Sequence, residues 1–308
     1  MTAVADAIAR GLAALARMQR DDGSFPLMTG SRRDGWRPSS GLFATAYILL
    51  GAGGLLPRER IERALAFIAD RRRPDRLWEF DPAIGIPPDS DSTACSLAAL
   101  ALHGGTVESG DADLLRTFWR PGEGPFRTWR VPGDWSIPAR DDPVVNCNLV
   151  LALDLLGSPA APAETAAVEA LLGRSTSGSR YYCAPAAIAH AARRAGFAPG
   201  ALPATAAARP TAGGVMAAAQ WLAAGLGRDD RLVAGILAAQ RPDGSWPGGA
   251  WVFGVGTPFW GSAAVTTAFA VEALADLVAA TGAPPPWTAA RAVAMKRRSR
   301  RDAGLAQG

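Results

Sequence analysis

Apolar residues recur with a helical period along nearly the whole chain, and the helices they predict come in pairs. The first helix of each pair carries charged residues on one side, whereas the second is apolar on most faces. Helices that are apolar all round are buried, so the pattern predicts an outer and an inner layer. The outer helices are predicted at 2–18, 57–71, 111–119, 162–173, 201–208 and 229–240, and the inner ones at 42–52, 92–103, 145–156, 184–195, 212–226 and 262–279.

A short repeat marks the ends of two outer helices. The segment 19–26, QRDDGSFP, returns at 240–247 as QRPDGSWP, each time directly after an Ala/Leu-rich helix. Gly lets the chain leave the helix, Asp and Ser make the turn, and the aromatic ring packs back on the preceding helix. Repeated units of this kind predict stacked helix pairs. We therefore expect an all-α fold, an (α/α)6 barrel of about twelve helices, with residues 1–290 as its single domain.

The loops between these helices differ in length. Links from an inner helix to the next outer one are short and Gly-rich, as at 51–54 and 103–105, whereas most links in the other direction are long. The long loops therefore share the rim at the N-termini of the inner helices, where function usually lies. Aromatic rings at this rim could bind substrate or could simply seal the barrel. Arg180, beside Tyr181, is the charged residue assigned to substrate contacts. The aromatic residues assigned to them are Trp78, Phe80, Tyr181, Tyr182, Trp251, Phe253, Phe259 and Trp260.

Two carboxylates stand where one inner helix begins, in the segment 89–94, DSDSTA. Capping alone could explain them, because Asp and Ser are favoured N-caps and Asp in the first turn complements the helix dipole. Alternatively, burial and a neighbouring charge could keep one carboxyl protonated as a proton donor. On this interpretation Asp89 and Asp91 are the candidate acids, with Ser92 as a hydrogen-bond donor beside them. Asn146, at the start of the next inner helix, could hold a water that takes up a proton at the end of a reaction, or it could act as an N-cap.

Both motifs resemble those of known enzymes. The repeats are similar to the QW motifs of the squalene–hopene and oxidosqualene cyclase superfamily, and 89–94 resembles the Asp-x-Asp-Asp-Thr-Ala motif of class II terpene cyclases. The resemblance implies that Asp91, the middle aspartate, protonates an alkene or epoxide of an isoprenoid substrate, after which a carbocation cyclises. Ser92 departs from the squalene–hopene and diterpene pattern, which has Asp there, while oxidosqualene cyclases have Cys.

The length of the chain bears on this resemblance. Class II cyclases resemble two fused barrels with the cavity between them, whereas these 308 residues suffice only for the acid-bearing barrel. We therefore expect either that the loop face closes on itself or that a second chain supplies the missing wall. That chain would be a homodimer partner or a companion subunit.

Composition and charge narrow the other classes of function. The chain is 49% hydrophobic and 19% charged, with no apolar run long enough for a membrane span and no signal-peptide order at its start, which predicts a cytoplasmic protein. Its net charge of +4 arises in the tail 291–308, which we expect to be flexible. This tail could touch anionic lipid headgroups as a peripheral membrane contact. Basic residues elsewhere are scattered among acids, which argues against nucleic acid binding.

Two other classes of function are alternatives to cyclisation. A non-catalytic barrel that binds an isoprenoid or a partner protein would keep the repeats, yet it would not need the paired carboxylates. A zinc prenyltransferase subunit would resemble this barrel, yet its Asp-x-Cys pair is missing from the sequence. We therefore predict no metal site and no cofactor, with Mg²⁺ entering only if the substrate carries a diphosphate.

Overall fold

The computed structural model describes residues 2–31, 35–122, 124–129, 141–211, 214–253 and 259–280. Over these ranges the chain forms twelve α-helices in two layers, which confirms the predicted all-α (α/α)6 barrel. The outer helices are α1 (Thr2–Met18), α3 (Arg58–Asp70), α5 (Asp111–Arg116), α7 (Pro162–Arg174), α9 (Ala204–Ala207) and α11 (Asp230–Ala238). The inner helices are α2 (Leu42–Ala52), α4 (Ser90–His103), α6 (Pro143–Leu155), α8 (Ala186–Arg194), α10 (Gly214–Ala223) and α12 (Ala263–Ala279).

The inner helices form a closed ring. Each packs on the next in chain order, and α12 packs on α2. The glutamine of the repeat ties outer helices together: the Gln19 side-chain amide donates to the carbonyl of Arg60 in α3 at 2.8 Å. Gln240 makes the same bond to the carbonyl of Ala7 in α1, also at 2.8 Å. The second copy of the repeat therefore joins the last outer helix to the first.

The aromatic residue of each repeat is fixed to the inner helix that follows it. Its backbone N–H donates to a side-chain hydroxyl or amide oxygen near the start of that helix. This bond anchors the loop that precedes the helix. The indole N–H groups of Trp78 and Trp246 also donate to carbonyls of the preceding outer helix, at 2.8 and 2.6 Å. Degenerate copies of the repeat stand at 72–78 and, more weakly, at 120–126, so there are four such pairs in the described residues. They are Phe25–Thr45, Trp78–Thr93, Phe126–Asn146 and Trp246–Thr267, at 2.8, 3.2, 2.9 and 3.0 Å.

A small antiparallel sheet lies at the rim, formed by two of the long loops. Its strands are β1 (Leu27–Ser31), β2 (Gly35–Ser39), β3 (Val252–Phe253) and β4 (Phe259–Gly261), in the order β2-β1-β4-β3. The sequence analysis predicted only loops here. Strands this short, split between the first and last repeats, leave too few alternating residues for a strand pattern to be recognised.

The two faces of the sheet differ. The cross-strand row of Thr29, Trp260 and Val252 is buried, at 4–6% exposure. The next row passes from Trp36 through Gly30 to Phe259 and Phe253, and its three aromatic side chains are 38–47% exposed. Because side chains alternate along a strand, the first row faces the barrel and the second is turned largely to solvent, although Phe253 of the second row also lines part of a cavity next to the sheet. The buried row of the sheet therefore covers part of the loop face of the barrel.

Some of the sequence predictions concern residues beyond the described ranges. The basic tail, 291–308, and the last ten residues of the predicted domain, 281–290, lie outside them. Among the helices that are described, none combines the length and the apolar character needed to cross a bilayer.

Candidate active site

Asp89 and Asp91 stand at the start of α4, and loops on both sides hold this helix end. Asp89 is the N-cap: its carboxylate accepts the backbone N–H of Ser92 at 2.7 Å. The backbone N–H of Asp89 donates to the carbonyl of Trp78 at 3.3 Å, and that of Ser90 donates to the carbonyl of Thr128 at 2.9 Å. The two carboxyls are only 4% and 7% exposed. The capping and buried-acid interpretations are thus compatible, because Asp89 caps the helix while Asp91 is free of that task.

Three neighbouring side chains contact the Asp91 carboxyl. The Tyr182 hydroxyl donates to Oδ2 at 2.6 Å, and the Asn148 amide donates to Oδ1 at 2.8 Å. The same amide reaches the Tyr182 hydroxyl at 3.3 Å, which closes a triangle, and the Cys95 Sγ lies 3.7 Å from Oδ1. Donors of this kind fix the carboxyl and stabilise its anionic form once a proton has left.

Burial dominates the electrostatics of the pair. It raises the pKa of Asp89 to about 7, with a further contribution from the charge of Asp91. Burial likewise raises the pKa of Asp91 to about 6, although the hydrogen bonds from Tyr182 and Asn148 oppose this rise. Carboxyls in water ionise near pH 4, so both groups hold their protons much closer to neutrality than ordinary aspartates. At least one member of the pair can therefore act as an acid under physiological conditions.

The two carboxyls lie in the wall of a largely apolar cavity below the sheet. It encloses about 510 Å³ of empty space, including the part that is open to solvent. Among the lining residues that the structure describes, Asp89 and Asp91 are the charged ones, and Lys and Arg are missing. Several of the lining side chains are aromatic, and an aromatic face attracts a cation by about 0.5–2 kcal/mol. The remaining lining residues are Phe43, Phe80, Ile86, Ser92, Thr128, Trp129, Val145, Tyr181, Val252, Phe253 and Trp260.

An aromatic cluster lies beside this cavity, near the barrel axis. Trp251 is stacked on Phe43 with ring centroids 5.2 Å apart, and its edge contacts Tyr47 at 4.9 Å. Tyr182 and Phe269 complete the cluster at 6.2 and 6.3 Å from Trp251. The cluster thus extends from Tyr182, whose hydroxyl binds Asp91, to one wall of the cavity.

The structure brings together most of the residues selected from the sequence. Asp89, Asp91, Ser92, Phe80, Tyr181, Phe253 and Trp260 line the cavity, while Tyr182 binds Asp91 and Trp251 belongs to the aromatic cluster.

Four selected residues lie elsewhere. Trp78 is fully buried against α3, Phe259 lies on the outer face of the sheet, and the Arg180 side chain is exposed. The Asn146 amide accepts the N–H of Phe126 and donates to two backbone carbonyls at 3.0 Å. These bonds anchor a loop, so Asn146 has the same place in the repeat as Thr45 and Thr93.

Sequence reasoning did not assign a role to several residues of the site. The foremost is Asn148, which faces Asp91, and Phe43, Tyr47 and Trp129 were likewise not chosen. The repeat held a signal for the axial ones. Tyr47, Cys95 and Asn148 each follow the loop-anchoring residue by two positions, so their shared register indicates a common position toward the barrel axis.

Metal ligands were considered separately. No group of three or more His, Cys, Asp or Glu side chains in the described ranges is arranged to hold a metal ion.

Comparison with known proteins places this geometry in context. No protein-family model matches the sequence, and no curated protein matches it. The type II terpene cyclase MstE from Scytonema matches in structure with a TM-score of 0.64 at 18% identity, over 89% of this chain and 97% of MstE. A protein from Actinoplanes matches with a TM-score of 0.66 at 19% identity, over 88% of this chain and 98% of that protein.

A larger enzyme also shares the fold. An ent-copalyl diphosphate synthase from Streptomyces platensis matches with a TM-score of 0.53 at 20% identity, over 76% of this chain and 50% of the synthase. The synthase extends far beyond the matched region, as the expectation of two barrels requires, whereas MstE is matched over nearly its full length. A second barrel in the same chain is therefore not a feature of every type II cyclase. This chain has a class II terpene cyclase-like fold.

Proposed function

We propose that this protein is a class II-type terpene cyclase in which Asp91 is the general acid. The observation that carries the proposal is a pair of buried carboxyls with raised pKa in the wall of an aromatic cavity. Buried ionisable groups are costly, and clefts with strongly perturbed pKa values are candidate catalytic sites. A barrel that only binds an isoprenoid or a partner protein would gain nothing from them.

The proposed reaction begins with proton transfer from the Asp91 carboxyl to one carbon of an alkene or to the oxygen of an epoxide. The cation that forms is attacked by further double bonds of the same chain, so carbon–carbon bonds form while π bonds are lost. Tyr182 and Asn148 stabilise the carboxylate left behind, and aromatic rings stabilise the cation. Loss of a proton from carbon to a water then ends the reaction and restores the proton balance. Because Asn146 is occupied as a loop anchor, we do not assign that water to it.

The lining residues indicate the substrate class. MstE has been solved with geranylgeranyl dihydroxybenzoate as its substrate and with merosterolic acid A as its product. We propose an isoprenoid substrate here as well, with its apolar chain in the cavity. For a substrate with a diphosphate, the exposed Arg180 is a candidate partner of that group, and Mg²⁺ could accompany it. The enzyme would act in the cytoplasm as a single domain over residues 1–290.

The direct test is incubation of the purified protein with candidate substrates. Squalene, geranylgeraniol, geranylgeranyl diphosphate with Mg²⁺ and geranylgeranyl dihydroxybenzoate cover the chemistry in question. Products of unchanged mass and fewer double bonds, identified by mass spectrometry and NMR, would support cyclisation. Recovery of every substrate unchanged, with binding retained, would favour the non-catalytic barrel.

The rate of cyclisation is expected to fall as pH rises. Asp91 donates only when protonated, and its pKa of about 6 means that this form is lost above that pH. Beyond the transition the rate should drop about tenfold per pH unit, as for a single essential acid. Initial rates measured from about pH 5 to about pH 9 provide the test. A rate that increases over this range would contradict an acid-initiated reaction.

The exposed aromatic row of the sheet is the surface we propose for a homodimer partner or companion subunit. Trp251 and Trp260 are buried, so the exposed apolar surface consists of Trp36, Phe253 and Phe259. A charge at this row, Phe259→Glu, is expected to weaken self-association without loss of helicity, because exposed aromatic patches favour contacts. Sedimentation at micromolar concentration measures this. A wild-type protein that is monomeric and still turns over substrate would show that the loops alone close the cavity and would contradict the partner proposal.

A further inference from the structure

The segment before α8 extends the sheet at the rim. The backbone N–H of Phe253 donates to the carbonyl of Tyr181 at 2.7 Å, and the N–H of Cys183 donates to the carbonyl of Trp251 at 3.0 Å. Between these two bonds, Tyr182 and Val252 form an antiparallel bridge. β3 is therefore paired on both sides, with β4 on one and with residues 181–183 on the other.

This pairing connects two parts of the site that are far apart in sequence. Val252 and Phe253 line the cavity, and they belong to the strand that holds the backbone around Tyr182. The side chain of Tyr182 reaches away from that strand to the Asp91 carboxyl, where its hydroxyl donates at 2.6 Å. The wall of the cavity and the hydrogen-bond donor of the acid are thus one structural unit.

We infer that β3 and the preceding residue, Trp251, position the acid: the backbone hydrogen bonds of Phe253 with Tyr181 and of Trp251 with Cys183 hold the Tyr182 hydroxyl on Asp91 and thereby set the strength of that acid. The inference rests on the proposed function only in calling Asp91 an acid that acts on a substrate. Tyr182 and the backbone of Phe253 are positioning groups, because they act on the reaction through Asp91.

The direction of the effect follows from the charge of each state. Burial raises the pKa of Tyr182 well above its ordinary value, so its hydroxyl stays neutral and donates to the Asp91 carboxylate. Losing this bond destabilises the anion and raises the pKa of Asp91, which makes it a weaker acid. The other ionisable groups that act on this part of the barrel are Asp89, Cys95, Asp142, Tyr47 and Arg194. Of these, Asp142 accepts hydrogen bonds from the Ser179 hydroxyl and the Arg180 N–H, at 2.6 and 2.7 Å, so it contacts the segment that leads to Tyr182.

Two substitutions and their combination test the inference without any substrate. Phe253→Pro removes the N–H that binds Tyr181, whereas the bond from the Trp251 N–H to the Trp260 carbonyl, at 2.8 Å, still joins β3 to β4. Tyr182→Phe removes the hydroxyl itself. The matched control is Phe253→Ala, which removes the ring and keeps the N–H. The pKa of Asp91 is read from carboxyl carbon NMR of ¹³C-aspartate-labelled protein, with the signal assigned by its loss in Asp91→Asn.

We expect Tyr182→Phe to raise the pKa of Asp91 by about 1–2 units, the worth of one hydrogen bond to a charged group. Phe253→Pro should raise it in the same direction, Phe253→Ala should leave it in place, and the double variant should equal Tyr182→Phe alone. Additive effects, or no change in Phe253→Pro, would overturn the inference. If the proline variant does not fold, an ester in place of the amide at Phe253 removes the same N–H. A failed cyclase assay would not alter these titrations, so the two proposals can fail separately.

Discussion

The Asp91→Asn variant is expected to lose cyclisation activity by about 10²–10⁴-fold, the usual contribution of a general acid, while its melting temperature does not fall. Asn has the size of Asp and can still interact with Tyr182 and Asn148, but it carries no transferable proton. It also places no charge in the buried wall, so it removes a source of instability. Product formation by mass spectrometry and a thermal melt on the same preparation measure both effects.

The matched control is Asp89→Asn at the neighbouring cap. Asn is as good an N-cap as Asp, so the bond to the Ser92 N–H should persist and the helix should still begin at Ser90. This variant should retain cyclisation at low pH, because Asp91 remains protonated there. Full activity in Asp91→Asn, or equal losses in both variants, would show that Asp91 is not the acid.

The architecture could be predicted from the sequence because the repeat records it locally. The glutamine, the turn and the aromatic ring interact with the nearest helices, so their spacing alone indicates stacked pairs. The contrast between apolar inner and amphipathic outer helices then defines the layers. The position of Asp91 at the start of α4 follows from the same register, without any knowledge of its partners.

The partners of Asp91 could not be predicted in this way, because they come from other repeats. Tyr182 lies 91 residues away along the chain and Asn148 lies 57 away, so their contacts depend on how the ring of helices closes. A choice between Asn146 and Asn148 illustrates the difficulty. Both stand near the start of α6, yet only the first falls in register with Thr45 and Thr93, which hold loops. Comparing copies of the repeat separates the structural residue from the axial one.

The sheet bears on whether the loop face closes on itself or needs a second chain. One row of side chains faces the barrel, and the adjacent row is largely exposed. The sheet therefore covers part of the loop face, while the cavity keeps a part that is open to solvent. MstE, a type II terpene cyclase of similar extent, is matched over nearly its full length.

The buried carboxyl pair should make the protein less stable as pH rises from about 4 to about 7. Both folded-state pKa values lie above the ordinary value of 3.8, so the folded chain binds these protons more tightly than the unfolded chain. Their stabilising contribution is complete below the unfolded pKa and is lost as pH rises through the folded pKa. For Asp89, the rise from 3.8 to about 7 corresponds to roughly 4 kcal/mol of unfolding free energy.

Asp89→Asn should therefore be more stable than the wild type at about pH 8 and equal to it at about pH 4, since Asn keeps the cap and never becomes charged. Urea denaturation at several pH values measures the difference. Asp243→Asn is a control of opposite sign, because hydrogen bonds from Ser245 outweigh the small effect of burial and lower the pKa of Asp243. That carboxylate stabilises the fold at high pH, so its removal should cost stability there. If Asp89→Asn were instead less stable than the wild type at about pH 8, the Asp89 carboxylate would be a favourable charge at the helix start. The buried pair would then act as a helix cap, and its protonation would not stabilise the fold.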